Sequence, residues 1–183
     1  LFIKSLYIMV IRLFSFIAII LLISASCEKE LHKLSIAKTP YTGNELRIDG
    51  YYYSNQTTAN DIGLAVFYRD GVCIHTFVPI EGQNILDFIE NEILLNEVLI
   101  SRFWTTPTSI GVFQINAESI EFETWEAGRD IITFSNFGEI INDTTFLITK
   151  QVNNDSGTSY SENLLYRFKQ FSPKPDSTNT FIK

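Results

Sequence analysis

Eight short stretches of this chain alternate apolar and polar residues with a period of two: LRIDGYYY (46–53), IGLAVFYRD (62–70), GVCIHTF (71–77), IGVFQIN (110–116), SIEFETW (119–125), IITFSNFGEI (131–140), TTFLITKQV (144–152) and LLYRFKQF (164–171). That period belongs to extended chain with one face buried. Most of the breaks between them, at Asp70-Gly71, Ala117, Gly128, Asn142-Asp143 and NNDSGTSYSE (153–162), are too short for crossover helices and join antiparallel neighbours. Closure leaves no exposed edge. The expected fold is therefore mainly β, an eight-stranded antiparallel up-and-down barrel over residues 45–172, followed by a tail at 173–183.

One segment breaks the series. From Asn84 to Ser101, Leu86, Ile89, Ile93 and Ile100 fall near one helical face, with Asn84 as the N-cap and Asp87 as its third-position acid. Leu94, Leu95, Val98 and Leu99 widen the apolar stripe, which suits two shorter helices or burial on more than one side. The segment is expected as a helical insertion between the third and fourth strands, a lid or plug at the barrel mouth.

The N-terminal region obeys a different rule. After Met9, taken as the true start, Arg12 precedes an uncharged apolar run from Leu13 to Ile23, then Ser24, Ala25, Ser26 and Cys27. The run is shorter than the roughly 20 residues that cross a bilayer, and the layout is that of a secretory signal. Small residues before a cysteine resemble the lipobox of bacterial lipoproteins, which implies a signal peptide at 1–26, lipidation of Cys27, a lipidated tether at 27–44 and anchoring to the outer membrane. GYYY, INDTTF and KPDSTNTFIK resemble segments of uncharacterised small lipoproteins of the Bacteroidota type, and Glu28-Lys29-Glu30 resembles their surface-export signal. That likeness brings no activity with it.

Removing 26 residues from 183 leaves 157, and because Lys4 and Arg12 leave while no acid does, the net charge moves from −7 to −9. Such a surface repels phosphate backbones, so nucleic acid is not an expected partner. With Cys27 lipidated, Cys73 is the one remaining thiol and no internal disulfide forms.

Chemistry-bearing residues are few. His75 is the one histidine of the strand region, two positions from Cys73 on the third strand. With Val72, Ile74 and Thr76 taken as inward, both face outward and no third group orients the histidine. No ligand set stands at zinc spacing, so neither a metal, a cofactor nor an enzymatic activity is expected. Aromatic residues are abundant instead. On one register Tyr52, Tyr68, Phe122, Phe134, Phe146 and Tyr166 project into the barrel, where they either fill it or line a site for one small apolar or amphipathic ligand.

Gly50-Tyr51-Tyr52 stands where lipocalins carry Gly-x-Trp, and Asn142-Asp143-Thr144 occupies the turn where they carry a short acidic motif, so the chain resembles the lipocalin-like barrels at the level of architecture. The resemblance implies a ligand in the barrel mouth. The other expectation is an interaction or structural lipoprotein docking to an envelope protein complex, with Trp104, Trp125 and Phe113 as outer anchors.

Overall fold

The structure is a computed structural model that describes residues 31–54, 61–79, 84–127 and 131–183; the signal segment and Cys27 lie outside the described residues. Its strands are β1 (Gly50–Ser54), β2 (Asp61–Phe67), β3 (Val72–Pro79), β4 (Ile110–Asn116), β5 (Ser119–Ala127), β6 (Ile131–Asn142), β7 (Thr145–Asn153) and β8 (Ser159–Gln170). They follow one another in sequence order around a closed barrel. All neighbours are antiparallel, and β1 closes on β8 with Tyr52 opposite Phe168. The eight-stranded up-and-down barrel is as the alternation of the sequence requires.

Turn chemistry moves two boundaries. At Asp70-Gly71, Gly71 takes φ +87°, and an added Cβ would lie 2.2 Å from the carbonyl oxygen of Thr39, so both the turn and the neighbouring chain require glycine there. The 153–162 segment needs far fewer loop residues than expected. Asn153 Oδ1 accepts from the backbone N–H groups of Asp155 and Ser156 at 3.0 and 3.1 Å, which closes the reversal early and lets β8 begin at Ser159.

The barrel has two hydrophobic cores rather than one. The inner core contains Tyr52, Ala65, Phe67, Cys73, Phe113, Phe122, Phe146 and Tyr166. A second core lies on the outer wall, where Tyr51, Leu64, Val66, Tyr68, Val72, Ile74 and Val112 meet Ile89, Ile93 and Leu94 of the insertion. Strands β1 to β4 are therefore apolar on both faces, and alternation alone does not say which face is inside.

That ambiguity reverses two expectations. Cys73 and His75 face the lumen, because Val72 and Ile74 pack outward under the insertion. Tyr68 lies on the outer wall with its ring 5.9 Å from that of Trp104.

The insertion comprises α1 (Ile85–Asp87), a π-helical stretch Phe88–Leu94 and α2 (Glu97–Thr105). Asn84 caps it as expected, accepting from the Leu86 N–H at 3.1 Å, and Asn96 caps α2 through the Leu99 N–H. Its buried side chains, Ile89 and Ile93 among them, are part of the outer core. Tyr51 donates to Glu90 Oε1 at 3.1 Å. The segment packs against the outer side wall rather than over the mouth.

Residues 31–36, within the stretch expected as a tether, lie along the same wall. Leu31, Leu34 and Ile36 pack on the outer core, and Trp125 Nε1 donates to the carbonyl of His32 at 2.6 Å. Glu123, fully buried on β5, accepts from Ser35 N and Oγ and from Ile36 N at 2.6, 2.7 and 3.1 Å. Its other oxygen accepts from Asn154 Nδ2 at 2.8 Å. The C-terminal tail completes the cover: Lys174 Nζ donates to the Ile48 and Phe67 carbonyls at 2.7 and 2.6 Å, and Ile182 joins the outer core. Burial pulls the Lys174 ammonium down to about 8, against the opposing pull of Asp49 and Asp70.

Candidate functional site in the upper lumen

The end of the barrel near Gly50, Tyr68 and Asp143 is closed by side chains. Tyr52 donates to the carbonyls of Arg47 and Asp143 at 2.8 and 3.0 Å, and Tyr41 and Leu46 join the inner core there. Above them Phe67 contacts four rings, with centroids 4.8 Å from Phe113, 5.7 Å from Tyr52, 5.8 Å from Phe146 and 5.9 Å from Phe122. This half of the lumen is filled core.

Higher up, the lining changes character. Tyr166 stacks on Phe146 at 4.8 Å and an interplanar angle of 5°, and its hydroxyl lies 2.8 Å from His75 Nε2. A Cβ added at Gly63 would lie 2.3 Å from that hydroxyl, so the close approach requires glycine. His75, Thr124 and Asn136 are buried to 3, 0 and 2% exposure. Asn136 Oδ1 accepts from Gln151 Nε2 at 3.1 Å, yet Asn136 Nδ2, Thr124 Oγ1 and His75 Nδ1 have no partner among the described residues. Buried polar groups of native proteins are nearly always paired, so three without partners on one inner wall call for an explanation.

The rim carries apolar rings and acids. Phe77 and Tyr160 are 41 and 44% exposed, although alternation from Cys73 and His75 on β3, and the pairing of Tyr160 with Gln151, place both on the inner face. Alternation from Phe122 and Thr124 puts Glu126 inside, where burial pushes its carboxyl up. Alternation from Leu164 and Tyr166 places Glu162 on the inner face as well. Burial holds the Tyr166 phenol well above its usual range, and the charges of Glu162 and Glu126 add to that effect.

Of the six aromatic residues expected in the lumen, the structure brings four together in the inner core: Tyr52, Phe122, Phe146 and Tyr166. Phe134 is on the inner face, opposite Thr124 and Asn153, but stands half-buried near the rim. Tyr68 is outside. Phe113, expected as an outer anchor, is in the inner core, while Trp125 and Trp104 pack into the outer one. Sequence reasoning missed His75, Thr124, Asn136 and Glu126 as lumen residues. For the last three the signal was present, since Phe122 fixes their parity on β5 and across to β6.

Burial lowers the His75 imidazole to about 4 from the ordinary 6.5. The unfolded chain takes up a proton that the native ring refuses throughout that window, so the stability contributed by the neutral ring is complete above pH 6.5 and is lost as pH falls toward 4. The loss expected by pH 4 is about 3 kcal/mol. Urea midpoints measured at pH 7 and pH 4.5 check this, with His75→Gln losing correspondingly less stability between the two. An equally steep variant would rule out the histidine as the source.

The Cys73 thiol is buried and pushed well up by desolvation, which disfavours the thiolate. Among the described residues no group of three His, Cys, Asp or Glu side chains is placed to hold a metal ion, and no helix is long and apolar enough to cross a membrane. Comparison with family models, with curated proteins and with solved structures finds no match to the chain.

Proposed function

We propose that this chain is a lipid-anchored lipoprotein of the cell envelope, of the small Bacteroidota type, and that its barrel binds a small amphipathic ligand in the upper lumen. The observation that carries the binding role is the trio of buried, unpartnered polar atoms on His75, Thr124 and Asn136, set above a closed aromatic floor. A ligand with hydrogen-bonding groups would satisfy them once the side chains that now cover them move aside, while the sheet that presents them stays in place. The eight-stranded barrel is consistent with a lipocalin-like binding fold, while the filled lower half confines the ligand to the rim end. Binding suits this lining better than catalysis, since the neutral His75 and the protonated Cys73 supply neither a thiolate nor a charged acid.

The anchor rests on Ser24-Ala25-Ser26-Cys27 behind a short apolar run. Cys27→Ser is expected to move the protein from the membrane pellet to the soluble fraction. Retention in the pellet with residues 1–26 still attached by mass would overturn lipidation. Wild-type protein taken from its own envelope is expected to release a small molecule on unfolding, in near-stoichiometric amount by mass spectrometry, and Asn136→Leu to carry much less. A docking role would instead fall to Leu95 and Val98 of the insertion, which are 50 and 67% exposed.

A further inference from the structure

The inner rim is acidic. Glu126 and Glu162 stand on the inner face close enough to Tyr166 to act on its phenol, and Asp61, at the top of β2, shares the inner parity of Gly63, Ala65 and Phe67. No Lys or Arg of the described strands is on the inner face, and Arg129 lies outside the described residues. Lys150 sits over the outward-facing ring of Phe137 at 4.8 Å, Arg167 and Lys169 alternate outward on β8, and Arg69 is held by the Tyr41 and Gly43 carbonyls at the closed end. An anionic ligand would therefore enter a lumen whose described strands supply carboxylates and no counter-charge, which is unfavourable by the Coulomb energy of like charges at low dielectric.

A cation meets the opposite situation. The Phe77 and Tyr160 rings at the rim offer π faces to an ammonium group, and the acids offer ion pairs. Deeper in, Asn136 Nδ2 is a donor that repels a cation and requires an oxygen acceptor, and Thr124 Oγ1 can donate to the same atom. Thr124 and Glu126 are two residues apart on β5, about 7 Å along the strand. We propose that the upper lumen is a site for a small organic ammonium that carries an oxygen acceptor at its far end, the ammonium held between Glu126 and Glu162 at the aromatic rim and the oxygen by Asn136 and Thr124. This rests on the binding role proposed above and specifies the charge of what is bound.

Three isosteric probes decide it: tyramine, 2-(4-hydroxyphenyl)ethanol and 3-(4-hydroxyphenyl)propionate, titrated calorimetrically at pH 7 into the full chain in non-ionic detergent, with a detergent blank. Tyramine is expected to bind at least tenfold more tightly than the carboxylate, with the alcohol between. Added salt should weaken tyramine alone, and E126Q/E162Q should lower its affinity about tenfold while leaving the alcohol unaffected. N136L should weaken both tyramine and the alcohol. The comparison among probes on the wild type needs no variant to fold. Equal or tighter binding of the carboxylate, or tyramine affinity unmoved by E126Q/E162Q in a folded protein, overturns the ammonium site and leaves the binding role standing. Failure of all three probes, together with no molecule released from the native protein on unfolding, overturns both.

Discussion

Glu123→Ala is expected to lower the melting temperature by roughly 10 °C, the equivalent of about 4 kcal/mol in a chain of this size. The carboxylate is buried, and its four hydrogen bonds come from Ser35, Ile36 and Asn154 rather than from a cation. Removing it leaves Ser35 N, Ser35 Oγ and Ile36 N without their acceptor and detaches two elements at once: the strap of residues 31–36 and the turn that carries Asn154. Because Asn154 Nδ2 also reaches Thr133 Oγ1 and Ser135 Oγ at 3.0 and 2.9 Å, the loss propagates to β6. Glu123→Gln keeps an acceptor toward the strap but opposes one amide to another at Asn154, so it should cost about half as much. Thermal melts measure the total, and hydrogen exchange locates it. Amides of residues 35 and 36 should lose protection in the alanine variant while those of 64–67 change little below the global transition. Unchanged melting would mean that the strap and the barrel are energetically separate.

The strap shows where the sequence was legible and where it was not. Strand number, order and the Asp70-Gly71 reversal follow from local rules, period two and a glycine with positive φ, and the structure has them. The docking of residues 31–36 depends on Glu123 and Trp125, some 90 positions away, and no local pattern in EKELHKLSIAKTPYTGN announces it. The same wall hides the inside of β2 and β3. In an isolated barrel the apolar face is the inner one, but here the insertion and both chain ends bury the outer face of the first strands, so Val72, Ile74 and Val66 are as apolar as Cys73, Phe67 and Ala65. Parity was decidable only where one face stays polar. On β5, Glu121 against Phe122 gave it correctly; on β3 nothing did, and His75 was assigned to the wrong side. The candidate site was half visible for this reason: its aromatic floor was read from β5, β7 and β8, and its histidine was lost on β3.

Phe67→Ala should be the most damaging single substitution in the inner core, with an expected loss of about 4 to 5 kcal/mol. Phe67 is 1% exposed and its ring is the hub of the filled half, touching Tyr52, Phe113, Phe122 and Phe146 from four directions. Those neighbours cannot collapse into the gap easily, because Tyr52 is held by two carbonyls at the closed end and Phe146 is stacked on Tyr166. The cavity should therefore persist. Its walls are apolar, so it should stay dry and accept benzene, which would raise the melting temperature of the variant and leave the wild type unaffected. Phe134→Ala provides the contrast: the same atoms are removed from a half-buried ring at the open end, outside both cores, and the expected cost is about 1 kcal/mol. Denaturant midpoints of the two variants measure the difference directly. If Phe134→Ala proved as costly as Phe67→Ala, the upper lumen would be as tightly packed as the lower, leaving no room for a ligand beside His75 and Asn136. A large gap between them means that the barrel is solid at one end and available at the other.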